Sequence, residues 1–373
     1  MKILYACLGI FLLFQLQQAL YRRFWDKNLS VTLSFSKDTA VEGDELILYE
    51  TVTNQKLLPI PILKIKFMTS RYLSFLDTRS TEVTDYYYRN DILSVMMYQK
   101  LTRSVSFACS HRGYFTINKI FLICNDIFLT SEHIESCDTG IHLCVYPRPV
   151  DYDRMNIPFQ KMLGTILTKR CLNEDPFEFR SIREYQTYDT LKTINWKASA
   201  KAGSLMVNVY DYTSSQQVKI LLNLESETLW KYEALEEESI RLAASFAAAF
   251  IEQGISTSLY TNSPNPLTRN LFSVPAGSSK HHIQTINEAL SRIDTSQTMP
   301  GFIHAVGNEI TEATSNDTIL IISTYQKEDL QAQLRCLAGK KIDFTWIIPY
   351  NREIKLHVRD ELLPHVLSWE IEK

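Results

Sequence analysis

The sequence predicts a multidomain α-and-β protein: an N-terminal membrane helix, an antiparallel β-sandwich of immunoglobulin type, then a doubly wound α/β domain. Three observations predict it. Ile3 to Leu20 is a charge-free apolar stretch, the next hundred or so residues alternate with period two, and the last third alternates short apolar runs with helical patterns. The predicted divisions are 1–28 (anchor and juxtamembrane segment), 29–147 (sandwich), 148–215 (a linker segment docking on the α/β domain) and 216–373 (α/β domain).

As a helix, Ile3 to Leu20 is about 27 Å long, close to the hydrocarbon thickness of a bilayer. Tyr21 and Trp25, with Arg22 and Arg23, read as an interfacial belt. The rival reading, a cleaved signal peptide, lacks a small-x-small site after the apolar core. Arg22, Arg23 and Lys27 after the span, against Lys2 before it, place the body of the protein in the cytoplasm by the positive-inside rule. The expected location is thus the cell membrane, crossed once.

From Leu29 onward Val31, Leu33 and Phe35 alternate with polar neighbours. So do Leu63, Ile65 and Phe67, then Val105 and Phe107, then Ile141, Leu143 and Val145. Glu42-Gly43-Asp44, Asn54-Gln55-Lys56 and His111-Arg112-Gly113 read as turns. His111 and Asp126 are the tempting polar residues, and turn chemistry accounts for both.

In the last third, Val218–Leu222, Ile255–Tyr260, Ile319–Ile322 and Phe344–Ile348 read as buried strands. Tyr232–Gln253, His281–Arg292, Phe302–Ala313 and Lys327–Ala338 read as helices, the first with glutamates crowding its N-terminal turns and Gly254 as its stop. Ligands of such sheets sit at the carboxyl ends of the strands, here Asn223 to Glu227 and Ser323 to Tyr325. Neither segment is glycine-rich, and no Gly-x-Gly-x-x-Gly or Walker-type loop occurs, which argues against nucleotide binding by those devices.

A net charge of -3 over 373 residues speaks against a general nucleic-acid partner. The seven cysteines include no Cys-x-x-Cys pair and read as reduced thiols. A zinc site from Cys124, His133, Cys137, His142 and Cys144 matches no standard finger spacing. No cofactor is expected. A hydrolase built on His281, His282 or His304 lacks any nucleophile elbow or zinc-protease motif.

The stretch "FEFRSIREYQTYDTLKTINWKASAKAGSLMVNVYD", Phe177 to Asp211, resembles the signature of the bacterial domain-of-unknown-function 58 family: Arg-Glu-Tyr, Gly-Asp, Ile-Asx-Trp-Lys, small-Ala-Arg, Leu-x-Val. Arg183, Glu184, Tyr185, Asp189, Ile194, Asn195, Trp196, Lys197, Ala200, Leu205 and Val207 match; Tyr188 replaces a usual glycine, and Lys192 and Lys201 replace usual arginines. The order of anchor, sandwich, signature and α/β end resembles the family too, although its members often begin with two spans. The dense charges of both signs, with Asp175, Glu178 and Arg180, read as mutually paired. Tyr185 and Trp196 read either as covers of a hydrophobic seam or as anchors for a docking partner. A catalytic pair from Asp189 and Glu184 has no nucleophile beside it, so no catalytic residue is assigned.

The resemblance further implies a von Willebrand factor type A-like end domain, whose metal-ion-dependent adhesion site uses Asp-x-Ser-x-Ser after the first strand and an Asp after a later one. Here Asn223, Glu225 and Glu227 replace the Asp and both Ser, Ser226 lies between the glutamates, and Thr324 stands near the later Asp. The standard metal site is expected to be lost. The expected function is a membrane-anchored scaffold of no enzymatic activity, and the resemblance implies that it works beside a MoxR-type AAA ATPase in assembly or envelope maintenance. The alternative is a divalent-metal-dependent ligand or adhesion binder using the variant loop.

Overall fold

The structure, a computed structural model, describes residues 2–76, 81–83, 86–172, 179–187, 189–210, 216–227, 232–265, 268–314, 316–340, 342–351 and 356–371. Asp175, Glu178 and Tyr188 lie outside these residues. The chain forms two compact units, Met1–Arg148 and Pro149–Lys373.

The first unit opens with helix α1 (Lys2–Phe24). Strands follow in order: β1 (Leu29–Phe35), β2 (Thr39–Val41), β3 (Glu45–Asn54), β4 (Ile60–Ser70), β5 (Leu73–Phe75), β6 (Thr81–Val83), β7 (Tyr86–Val95), β8 (Lys100–Cys109), β9 (Gly113–Asn125) and β10 (Glu132–Tyr146). They form one sheet in the order β1-β3-β8-β5 and another in the order β2-β10-β9-β4-β7-β6, with β2 and β10 parallel and the other pairs antiparallel. Period-two alternation sends Leu46, Leu48 and Val52 of one sheet and Leu63, Ile65 and Phe67 of the other into one shared core. Each such buried side chain contributes about 1.5–3 kcal/mol. The predicted reversal at Glu42-Gly43-Asp44 is a turn in which Gly43 takes φ 100°, the left-handed region open to glycine.

Tyr21 and Trp25 correct the sequence reading. Both are buried in the sandwich core rather than set in an interfacial belt. The Tyr21 hydroxyl donates to the Pro59 carbonyl at 2.6 Å, and the Trp25 ring stacks on His133. An amphipathic aromatic suits a bilayer surface and the rim of a protein core equally, since both offer an apolar body and a polar tip.

The second unit holds α2 (Tyr152–Leu172), β11 (Phe179–Glu184), α3 (Trp196–Ala202), β12 (Met206–Tyr210), β13 (Gln217–Asn223), α4 (Glu233–Glu252), β14 (Ser256–Pro264), β15 (Leu271–Gly277), α5 (Lys280–Ser291), α6 (Phe302–Thr311), β16 (Asp317–Ser323), α7 (Glu328–Gly339), β17 (Asp343–Tyr350) and β18 (Val366–Glu370). Its main sheet runs β15-β14-β13-β16-β17-β18, parallel except for the antiparallel edge strand β15. Val218, Ile220 and Leu222 pack with α2, α4 and α5 on one face; Leu221, Ile319, Ile321 and Trp346 pack with α6 and α7 on the other. Burial on both faces is why these strands are continuous apolar runs.

Residues 152–172 are not linker. They form α2, and Met155, Phe159, Met162 and Ile166 lie in the core beside α4. Pro158 within the helix disguised it. Strand β15 also went unread because it carries Pro275 and Gly277, which an edge strand tolerates. The glutamates of α4 are more than dipole partners. Glu236, Glu237 and Glu238 are buried, and Glu238 accepts from the Trp369 indole at 2.9 Å, tying β18 to α4.

Candidate functional site

The signature folds as a small module. β11 and β12 pair antiparallel, with Arg183 opposite Val207 and Glu184 opposite Met206, and the Tyr185 N–H donates to the Leu205 carbonyl at 2.8 Å. Two guanidinium nitrogens of Arg183 donate to the two carboxylate oxygens of Asp189, each at 2.6 Å. Asp189 also accepts the Gln186 N–H at 2.8 Å, closing the turn between them. The Arg183 guanidinium and that N–H outweigh desolvation and hold the Asp189 carboxyl below the usual range. A fork-to-fork pair of this kind fixes orientation as well as charge.

Asn195 is the hub. Its Oδ1 accepts the Ala198 N–H at 2.9 Å as the N-cap of α3, its Nδ2 donates to Asn208 Oδ1 at 2.7 Å, and its own N–H donates to the Met206 carbonyl. Ser199 then bonds the Asn195 carbonyl and the Met206 N–H, so α3 is stitched to β12 at both places. Ile194 is buried and bridges Val207. Trp196, by contrast, is 70% exposed and covers no seam, which corrects one of the two readings above. The outward face of α3 is Trp196, Lys197, Ala200 and Lys201, with Leu191 and Lys192 exposed just before it. Tyr185 is half-buried.

The second set lies at the carboxyl ends of β13, β14 and β16. Asn223 is buried, donating to Ser323 Oγ at 3.0 Å and accepting from Asn262 Nδ2 and the Glu225 N–H. Asn262 also accepts the Leu224 N–H and donates to the Pro300 carbonyl. Glu225 accepts the Phe302 N–H at 2.8 Å, at the first turn of α6, where the helix dipole favours an anion. Glu227 accepts the Gln326 N–H just ahead of α7. Thr324 is half-buried beside Tyr325. Burial first, then the bond to Asp329 at 2.8 Å and the nearby Glu225 and Glu227, push the Tyr325 phenol far above its usual range.

A hard cation needs several converging anionic or hydroxyl oxygens. Here the position nearest the strand holds a neutral amide engaged on both sides, Glu225 spends an oxygen on the helix-start N–H of Phe302, and Glu227 spends one on the Gln326 N–H. The donor set does not fit the adhesion-type metal. Among the described residues no three His, Cys, Asp or Glu side chains group to hold an ion.

A third cluster escaped the sequence reading. Between the sheets of the first unit, the wholly buried Asp91 accepts from Arg89 Nε at 2.5 Å and Nη2 at 3.0 Å, and from Arg103 Nη1 at 2.8 Å. The Arg89 guanidinium lies over the Phe75 ring. Glu50, also fully buried, faces Asp91; desolvation and that carboxylate push its pKa up to about 8, against the pull of Arg89 and Arg103. The signal was there: Glu50 falls in the same strand phase as Leu46, Leu48 and Val52.

Residues 181–356 match the family described as "Protein of unknown function DUF58". No curated protein matches the chain. Parts of the chain are similar to solved structures. One is the CARDB domain of a Pyrococcus furiosus protein in complex with di-metal ions, with 12% identity over 31% of this chain and 91% of that one, TM-score 0.22. Another is E. coli alpha-2-macroglobulin, with 13% identity over 32% of this chain and 7% of that one, TM-score 0.23. A third is a cohesin module from a Clostridium perfringens family 33 glycoside hydrolase, with 8% identity over 32% of this chain and 95% of that one, TM-score 0.22.

Proposed function

We propose, from the premise that residues 181–356 belong to the DUF58 family, that this chain is a non-enzymatic scaffold anchored to a membrane by α1 and docking another protein through its signature module. The observation that carries the proposal is Trp196: a large aromatic on a rigidly capped helix, exposed, and flanked by Leu191 and three lysines. Tryptophan on a preorganised support is the residue type that dominates binding energy at interfaces. The sandwich then serves as an immunoglobulin-like spacer. The sheet order, with its antiparallel edge β15, supports a von Willebrand factor type A-like reading of the second unit. Family resemblance implies a MoxR-type AAA ATPase as the partner. Arg22, Arg23 and Lys27 after the span support a cytoplasmic body for a protein that crosses the cell membrane once.

A photocrosslinking amino acid at position 196 of the full chain, in membranes, is expected to capture a AAA ATPase. Trp196→Ala is expected to weaken that association by about 2 kcal/mol or more, roughly 30-fold, while leaving the fold unchanged. Repeated capture of lipid or of nothing specific overturns the proposal.

The cation question has its own expected result. Magnesium, manganese and calcium titrated into the detergent-solubilised full chain give no binding isotherm, because Asn223, Glu225 and Glu227 are committed to protein partners. A dissociation constant tighter than about 1 mM for any of the three, abolished by Glu225→Gln, favours the variant-site binder instead.

A further inference from the structure

We propose that the helix-bearing end of the sandwich is itself a membrane-embedded surface: the β9–β10 tip, Ile127-Phe128-Leu129, inserts into the bilayer alongside α1, and the β7–β8 tip, Met96-Met97-Tyr98, sits at the headgroup level. The inference rests on reading α1 as a membrane span, and goes beyond it by assigning a lipid surface to two hairpin tips.

Hairpin tips are ordinarily polar, yet Ile127, Phe128 and Leu129 are three consecutive apolar residues, each at least half exposed, and Met96, Met97 and Tyr98 repeat the pattern. Neither tip is loose. Asp126 accepts the Thr130 N–H at 2.6 Å, the Thr130 hydroxyl at 2.5 Å and the Ser131 N–H. Asn54 Nδ2 donates to the Met96 carbonyl, the Met96 N–H to Gln99 Oε1, and the Tyr98 N–H to the Lys56 carbonyl. Leu129 and Tyr98 sit at φ 60° and φ 53°, a conformation costing a non-glycine residue about 1–2 kcal/mol. Those bonds hold apolar side chains outward against that strain.

Position along α1 sets the depth. The Phe128 ring lies 5.8 Å from the Phe14 ring, and Gln18 Nε2 donates to Thr130 Oγ1 at 3.1 Å, so the tip runs beside the helix. Phe14 precedes Phe24 by ten residues, about 15 Å of helix. The charge-free stretch bounded by Lys2 and Arg22 is nineteen residues, about 28 Å, no longer than a hydrocarbon core of about 30 Å, and Phe14 lies within it. A helix that crosses must therefore carry the level of Phe14 inside the membrane, and Phe128 with it. The Gln18 amide, costly in hydrocarbon, has its partner on that same tip. The β7–β8 tip attaches lower. It is held by residues 54–58, and Lys56 Nζ of that segment donates to the carbonyls of Trp25 and Lys27 beyond the helix end. Exposed Arg22, Arg23 and Lys27 lie at that level, where lipid phosphates would be.

The test is depth-dependent quenching in the full chain. A fluorescent amino acid is placed at position 127, 97, 12 or 68 in vesicles of phosphatidylethanolamine and phosphatidylglycerol carrying acyl-chain-brominated lipid. Positions 127 and 12 are expected to be quenched to the same extent, 97 more weakly and chiefly by lipid brominated near the headgroup, and 68, on the exposed face of β4, not at all. Quenching at 12 with none at 127 and 97 overturns this inference and leaves the anchor standing. No quenching at any position, 12 included, overturns the anchor reading itself.

Discussion

Asp91→Ala is expected to cost the first unit about 3–5 kcal/mol, the range measured when one partner of a buried ion pair is removed. Asp91 is the acceptor for both Arg89 and Arg103, and Arg89 has no exposed surface of consequence. Its removal leaves a guanidinium stranded between two sheets, over the Phe75 ring. Hydrogen exchange in the full chain reads the result. Amides of β3, β7 and β8 are expected to lose about two to four powers of ten in protection, with those of β13 and β16 unchanged. A loss below about 1 kcal/mol would mean the cluster relaxes by admitting water. Replacing Arg89 and Asp91 together by Met and Leu is expected to recover most of the loss, because an apolar pair of similar volume carries no desolvation penalty.

What was legible in the sequence follows from how strongly each feature constrains its residues. The parallel strands β13, β16 and β17 were legible because helices cover both faces, which forces unbroken apolar runs. The sandwich strands were legible because one face is wet and the other dry. Helix α2 was not: Pro158 interrupts it, and its burial comes from α4, a partner eighty residues away. The signature residues were legible as a set, and their charges as mutually paired; which carboxylate Arg183 takes was not. That Asn195 caps α3 while reaching Asn208 depends on the pairing of β11 with β12, which local pattern does not encode. Tyr21 and Trp25 misled because belts and cores select the same side chains. The inward charges on β3, β7 and β8 were the overlooked clue. Each sits in the apolar phase of its strand, and such a residue is either buried with a partner or the strand assignment is wrong.

The same cluster predicts an unusual pH dependence. Glu50 titrates near 8 in the folded protein, against roughly 4.3 for an unfolded glutamate. Between those values the folded chain holds a proton that the unfolded chain has released. Stability therefore falls as pH rises through that window, by at most about 1.4 kcal/mol per pH unit and by a few kcal/mol in all, and is fully present only below it. This is opposite in sign to the usual paired carboxylate, whose contribution is lost in acid. Glu50→Gln separates the causes: the amide keeps the shape and can donate to Asp91 as the protonated acid does, but has no proton to lose. The variant is expected to match the parent near pH 5 and to exceed it in stability above pH 8, read from protection factors of β3 and β8 amides after correction for intrinsic exchange. Protection that instead stays flat from pH 5 to 8 in the parent, with no gain in Glu50→Gln above pH 8, would show Glu50 ionised throughout, with the two arginines rather than burial and Asp91 setting its charge.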